Sequence, residues 1–348
     1  MNKIKIAVFF GGYSPEYSVS LQSAYSVIRN LNRSKYDPIL IGISNTGQWY
    51  YYTGDIEKIK EDHWQNAENC IPAVLSPNRN TGKLLLLKES GIEALPIDAA
   101  FPIMHGKFGE DGTLQGLIEM AGIPLIGCGT LASALCMDKA RAHKLAQLAG
   151  IEVPKSVVLR HPTDSDIISK FAKEVGFPLF IKPVKAGSSY GITKVQHAKD
   201  LDAAVNLAFR YDNEMIAEEN INGFEVGCAV MGNDHPITGE IDEIELSNGF
   251  FDFTEKYTLK TASIHVPARI SEKNADRIKN AAITLYQTLG CSGFARVDMF
   301  LTLSDRIVFN EINTIPGFTE HSRYPAMMKA AGLSFSEMLD KIIESAVK

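Results

Sequence analysis

The first 43 residues limit the fold more than any other stretch. Lys3-Ile4-Lys5-Ile6-Ala7-Val8-Phe9-Phe10 runs into Gly11-Gly12. A nearly continuous apolar run stopped by two glycines reads as a buried strand ending in a tight loop. Ser14-Pro15-Glu16 follows. Ser suits an N-cap, and Pro suits the first helical position because the missing N–H would have no partner there. Tyr17, Leu21, Ala24, Ile28 and Leu31 then fall on one helical face. Pro38-Ile39-Leu40-Ile41-Gly42-Ile43 reads as a second strand. Strand–helix–strand is a βαβ unit, and the helical crossover returns the chain parallel to its start. The sheet that opens the chain is therefore expected to be parallel, within an α/β fold. Ala99-Ala100-Phe101-Pro102-Ile103 reads as a further strand that delivers His105 to a loop.

With 348 residues the chain has room for two or three domains. Hydrophobic residues at 45% and charged residues at 22% are globular values, which excludes wholesale disorder. Net charge is −6 and the basic residues are scattered, so no nucleic-acid footprint is expected. Five cysteines, odd in number and widely spaced, exclude a disulfide framework and a Cys-rich zinc site. No apolar run approaches a membrane span or a signal-peptide core. A reduced cytoplasmic protein with no membrane partner is the expectation.

Farther along, Asp138 caps a helix that ends at Gly150, and strand, Gly-rich loop and strand occupy 178–195. A helix is expected around 273–289, strands at 293–302 and 306–313, and a closing helix from 335 to 346. Segment 247–268 shows neither helical nor strand period, and a loop that long is functional or disordered.

Four motifs carry chemistry. Gly127-Cys128-Gly129-Thr130-Leu131-Ala132 matches a dinucleotide fingerprint, with Glu152 at the spacing of a ribose-binding acid. It sits too deep in the chain for the first βα unit, and a tight turn entering a helix explains it equally. Lys182 to Gly191 sets lysines beside Gly-Ser-Ser, which suits a hairpin folded over phosphates, although an ordinary turn has the same residues. Arg296-Val297-Asp298 and Asn310-Glu311-Ile312-Asn313 each place polar side chains at i and i+2, on one face of a strand. The turn at Ser304-Asp305 would set the two pairs side by side. Two carboxylates and an amide oxygen are hard ligands suited to Mg2+ shared with phosphate, and Arg296 suits a developing anion. An alternately charged exposed strand is the plain alternative. Glu16 and His105, each taken alone, read as a helix-end charge and a loop histidine.

Together these residues resemble the D-alanine–D-alanine ligase family of ATP-grasp enzymes. The resemblance rests on Gly11-Gly12-Tyr13-Ser14-Pro15-Glu16, His105-Gly106-Lys107-Phe108-Gly109-Glu110-Asp111-Gly112, Met137-Asp138-Lys139, Gly187-Ser188-Ser189, Lys256-Tyr257, Arg296-Val297-Asp298, Asn310 to Thr319 and His321-Ser322. It implies a three-domain ATP-grasp ligase of α/β class, α+β in the ATP-grasp part, with an N-terminal parallel-sheet domain. The implied units are 1–127 for substrate, 128–221 as the central ATP-grasp domain, and 222–348 as the C-terminal one with lid loop 247–268. ATP would phosphorylate the carboxylate of a first D-alanine, and the amine of a second substrate would attack the acylphosphate. Asp298, Glu311 and Asn313 would hold two Mg2+ ions, with Mn2+ as a substitute. Lys139 and Lys182 would contact phosphate, with Glu218, Glu219, Ile221 and Glu225 around the nucleoside. Glu16 would anchor the first D-alanine's ammonium with Ser188 and Tyr257, beside Val19 and His105. Arg296 and the Gly317 amide would stabilise the oxyanion, and Lys256 and Ser322 would lie near the second substrate. A homodimer is also implied.

Within the family the chain looks closest to the VanG-type vancomycin-resistance ligases, which join D-alanine to D-serine. Phe251, Asp242 and Arg323 carry that resemblance. A polar partner for a hydroxyl rejects an analogue lacking it far better than an apolar pocket can. D-alanine–D-alanine ligase remains the alternative, with Asp242 and Arg323 then a structural ion pair. Another ATP-grasp carboxylate–amine ligase, an NAD-dependent protein and a non-catalytic binding protein are the more distant readings.

Overall fold

A computed structural model describes residues 3–66, 68–79, 82–162, 165–187, 189–246 and 262–347. In chain order its elements are β1 (Ile4–Gly11), α1 (Tyr17–Asn30), β2 (Tyr36–Ile43), β3 (Trp49–Tyr52), α2 (Ile56–Lys60), β4 (Cys70–Leu75), β5 (Lys83–Lys88), β6 (Gly91–Pro96), β7 (Ala99–Pro102), α3 (Thr113–Met120), α4 (Thr130–Met137) and α5 (Lys139–Leu148). Next come β8 (Ser156–Leu159), α6 (Ser165–Val175), β9 (Leu179–Pro183), β10 (Thr193–Val195), α7 (Leu201–Ala208) and β11 (Met215–Glu219). The last group is β12 (Gly223–Met231), β13 (Ile237–Leu246), β14 (Ala262–His265), α8 (Glu272–Thr288), β15 (Phe294–Thr302), β16 (Ile307–Asn313), α9 (Arg323–Ala330) and α10 (Phe335–Ala346).

The first sheet has the order β6-β5-β4-β3-β2-β1-β7. β1 pairs parallel with both β2 and β7, as the opening βαβ pattern predicts. The parallel part stops there. β3 to β6 add antiparallel strands, and the β2–β3, β4–β5 and β5–β6 links are too short for a crossover helix. From Ile6 to Phe10 β1 is apolar because both its faces are covered. Ile6, Val8 and Phe10 face one core with α1 and α10, and Ala7 and Phe9 face another with α3. α1 begins at Tyr17, two residues later than Ser14-Pro15 implied, with Glu16 at its N-cap position.

The second sheet, β10-β9-β11-β8, is antiparallel and packs α6 and α7 around a core of its own. The third, β14-β13-β12-β15-β16, is also antiparallel and is backed by α4, α5 and α8. The segment expected to be irregular over 247–268 ends in strand β14, where Ile264 pairs with Ile244. Gly127 of the fingerprint-like turn packs against Gly293, whose added Cβ would lie 2.8 Å from the Gly127 Cα. Glu152 is held by Arg306 rather than facing a ribose. The tight-turn reading of this motif holds, and α4 starts at Thr130. All five cysteines are free thiols. Among the described residues, no helix is long and apolar enough to cross a membrane.

Candidate active site

Three loops meet at the N-terminus of α1. The first carries Glu16, which is buried. The second, 105–112, runs along it: Gly106 is at φ +71°, and an added Cβ there would collide with the Glu16 carboxylate. Gly187 approaches from the central sheet, where an added Cβ would lie 2.9 Å from Glu16 Oε2. Val19 is half-buried one turn along α1.

The third loop, 315–322, is fastened to the other two. His105 Nδ1 lies 2.9 Å from the Ile315 carbonyl, which can only accept, so Nδ1 carries the proton. Nε2 then accepts from the Ser23 hydroxyl at 3.0 Å, and Ser23 accepts from the Phe318 N–H at 3.3 Å. Burial holds the His105 imidazole down at about 4, which keeps this neutral pattern in place. Glu110, quoted in the sequence motif but given no role, is the second fastening. It accepts from Gly106 N at 2.8 Å and Ile315 N at 3.2 Å. Burial, with Glu16 nearby, pushes its carboxyl up to about 8. Gly317 therefore sits on a clamped loop, and Ser322 Oγ accepts from the Thr319 N–H at 3.0 Å.

The charged row lies on the third sheet. Gly227 pairs with Asp242 on one side and Asp298 on the other, and Asp298 pairs with Glu311. Arg296 pairs with Asn313, so the two i, i+2 pairs stand side by side as their spacing predicts. Arg296 binds Asp298 at 2.7 Å, and Asn313 Nδ2 donates to Asp298 at 2.9 Å. Arg323, at the start of α9, descends onto this row. It grips Asp242 through Nε at 2.6 Å and Nη2 at 2.8 Å, reaches Glu225 at 2.9 Å and Asp298 at 3.3 Å. Gly227 makes space for this: an added Cβ would lie 2.5 Å from Arg323 and 2.6 Å from Asp242. Asp242 is wholly buried, and both its oxygens are taken by Arg323.

Between the second and third sheets lies a cleft of about 470 Å³. Lys139, Lys182, Glu218, Glu219, Ile221, Glu225 and Glu311 all line it, with Phe180 and Asn310. Lys182 binds Glu218 at 2.6 Å. Lys139 reaches Glu311 at 3.3 Å and the Ala186 carbonyl at 3.0 Å. Burial alone would raise the Glu218 carboxyl, but Lys182, His143 and Lys139 bring it below its usual range. Glu219 accepts from Lys155 N at 2.8 Å. The rim carries Glu243 bound to Arg269 at 2.6 Å, which sequence reasoning missed. Ser188, Phe251, Lys256 and Tyr257 lie outside the described residues, as does lid segment 247–261.

The donor set fits a hard divalent cation: Asp298 and Glu311 are neighbours on one face, with Asn313 beside them. Among the described residues no three His, Cys, Asp or Glu side chains converge on one point.

The family model described as D-ala D-ala ligase N-terminus matches residues 5–128, and the one described as D-ala D-ala ligase C-terminus matches 145–344. The crystal structure of VanG D-Ala:D-Ser ligase from Enterococcus faecalis superposes with TM-score 0.92 at 57% identity, covering 99% of this chain and 100% of that one. The vancomycin B-type resistance protein VanB of Enterococcus faecalis is 43% identical over 353 residues, covering 100% of both chains. A D-alanine--D-alanine ligase of Caldicellulosiruptor bescii is 40% identical, over 100% of this chain and 96% of its own. The chain therefore belongs to the D-alanine–D-alanine ligase family, with the ATP-grasp fold and the peptide-bond-forming ligase chemistry of that family.

Proposed function

We propose that this protein joins D-alanine to a second D-amino acid through D-alanyl phosphate, with D-serine as the preferred second substrate. The observation that carries the ligase reading is Glu311, which pairs with Asp298 across the sheet and meets Lys139 in the lysine-lined cleft. ATP enters the cleft, its phosphates meeting Lys139 and Lys182. Glu16 pairs with the ammonium of the first D-alanine, with Ser188 and Tyr257 as further contacts. The D-alanine carboxylate oxygen attacks the γ-phosphorus and ADP leaves. The second substrate's amine then attacks the acyl carbon, and phosphate departs from a tetrahedral intermediate. Arg296 and the Gly317 N–H donate to the developing oxyanion. Mg2+ bound by Asp298, Glu311 and Asn313 would neutralise phosphate charge. The domain limits 1–127, 128–221 and 222–348, with lid 247–268, belong to the same proposal. The dipeptide would feed peptidoglycan precursor synthesis, where a D-serine terminus belongs to vancomycin resistance.

The D-serine assignment draws on the 57% identity to a D-Ala:D-Ser ligase and on Asp242, Phe251 and Arg323. D-alanine–D-alanine ligase is the second reading. It is favoured by the complete burial of Asp242 under the bidentate grip of Arg323, which keeps that carboxylate away from a substrate hydroxyl. Product analysis decides between them. Given ATP, Mg2+ and equal D-alanine and D-serine, the protein should release the mixed dipeptide faster than D-alanyl-D-alanine. Faster turnover with D-alanine alone would refute the serine preference.

A further inference from the structure

Among the described residues, two buried polar atoms beside the cleft find no hydrogen-bond partner: Nδ1 of His143 and Oε1 of Glu218. They face each other at 3.8 Å, beyond hydrogen-bond reach, on side chains only 4% and 2% exposed. The chemistry of the ring explains the gap. His143 Nε2 lies 2.8 Å from the Asn310 carbonyl, which can only accept, so Nε2 carries a proton. In a neutral ring Nδ1 is then a lone pair directed at a carboxylate oxygen, and neither atom can donate to the other.

Glu218 tolerates this because its other oxygen holds Lys182 at 2.6 Å. Lys182 is also the cation assigned to ATP phosphate under the ligase reading, on which this inference rests. An ammonium drawn toward phosphate leaves Glu218 as a buried carboxylate without its partner, which is strongly unfavourable. Lys139 is already engaged by Glu311 and Ala186, and has the same phosphate role. Among the described residues the remaining group within reach of Glu218 is His143.

We propose that His143 is a positioning residue that takes up a proton from solvent when nucleotide phosphate draws Lys182 from Glu218, and then holds the Glu218 carboxylate as an imidazolium. The groups around the ring fit a site that is neutral when empty. Burial pushes the imidazole below its usual range, opposed by Glu218 of β11 and the Asn310 carbonyl of β16, and aided by Lys182 of β9 and Lys139 one turn earlier on α5. The Phe309 ring closes the remaining side, edge-on at 5.5 Å. Moving Lys182 away removes a repulsion from the ring and frees Glu218 to attract the proton. ATP affinity should accordingly rise as pH falls between the ring's bound-state and free-state pKa values.

The test is titration calorimetry of a γ-thio ATP analogue with Mg2+, near neutral pH, in two buffers of different ionisation heat. Adenosine, which has no phosphate to displace Lys182, is the control. The unaltered protein should take up more proton with the analogue than with adenosine. His143→Gln keeps an N–H for the Asn310 carbonyl but cannot titrate. It should lose that difference and bind the analogue about tenfold more weakly, with adenosine unchanged. Equal proton counts for analogue and adenosine in the unaltered protein would overturn the proposal without need of the variant. So would equal weakening of both ligands by His143→Gln, which would mark a merely structural residue. Failure of the unaltered protein to bind the analogue at all would overturn the ligase reading and this proposal with it.

Discussion

At the scale of single residues, the site is held by groups whose charge depends on burial. Glu110 keeps its proton up to about 8 in the folded chain, against an ordinary value of 4.5. As pH rises through that window the unfolded chain releases the proton first, so Glu110 favours folding less and less. Stability followed by denaturant titration should fall between the two values, and Glu110→Gln should flatten that decline. A slope unchanged in the variant would remove Glu110 as its source. The variant should also lose about 1–3 kcal/mol at low pH, because one of the two backbone N–H groups it accepts from is left unpaired. Glu311→Gln is a different case. It stands at the edge of the cleft rather than in a core, so turnover should drop by at least about a hundredfold with the fold intact by circular dichroism. Retained activity would refute its role as a metal ligand. The i, i+2 spacing of Arg296, Asp298, Glu311 and Asn313 made their common face legible from the sequence. Glu110 and His143 were not, because their meaning depends on partners more than 60 residues away: Ile315 for the first, and Glu218 and Asn310 for the second.

At the scale of elements, strand alternation accounts for most of the site and fails at one informative place. Asp298 pairs with Glu311, but Met299 pairs with Phe309, so Asn310 is an extra residue in β16. Such a bulge re-aims a side chain. Asn310 and Glu311 are consecutive and yet both line the cleft, and Asn310 Oδ1 reaches Lys182 at 3.4 Å. Strict alternation would have sent one of them to the opposite face, which is why Asn310 was not singled out beforehand. Gly227 belongs at this scale too, because a whole row of charges crosses the sheet over it. Gly227→Ala should cost about 1–3 kcal/mol from overpacking, and more if the Arg323 pairs are broken. A thermal shift within error of the unaltered protein would show that Arg323 can move aside. The late start of α1 has a related cause. Ser14 Oγ accepts from the Glu16 N–H at 3.2 Å, forming a local turn where the sequence suggested a cap.

At the scale of the molecule, the four-stranded sheet stands apart. Its core of Leu159, Ile168, Leu179, Ile181, Val195, Leu201 and neighbours is separate from the cores around it. It also forms one wall of the cleft, so it should open as a unit. Native-state hydrogen exchange should show residues 156–219 exchanging together below the global unfolding free energy, and slowing when nucleotide binds. Uniform exchange across all three sheets would contradict this. The βαβ opening and the closing helix were legible in the sequence because each has a clean period. The way they share a core was not, since periodicity says which face is apolar and not what covers it.

That shared core has a consequence for synthesis. Ile6, Val8 and Phe10 of β1 pack in one cluster with Met338, Leu339, Ile342 and Ile343 of α10, at the far end of the chain. A ribosome adding about 5–20 residues per second leaves that core covered by α1 alone, without α10, for roughly 10–50 s after β7 emerges. During that interval the nascent chain presents an aromatic and aliphatic surface to whatever is nearby. Chaperone demand should therefore fall on the first third of this protein, although its catalytic parts are made later.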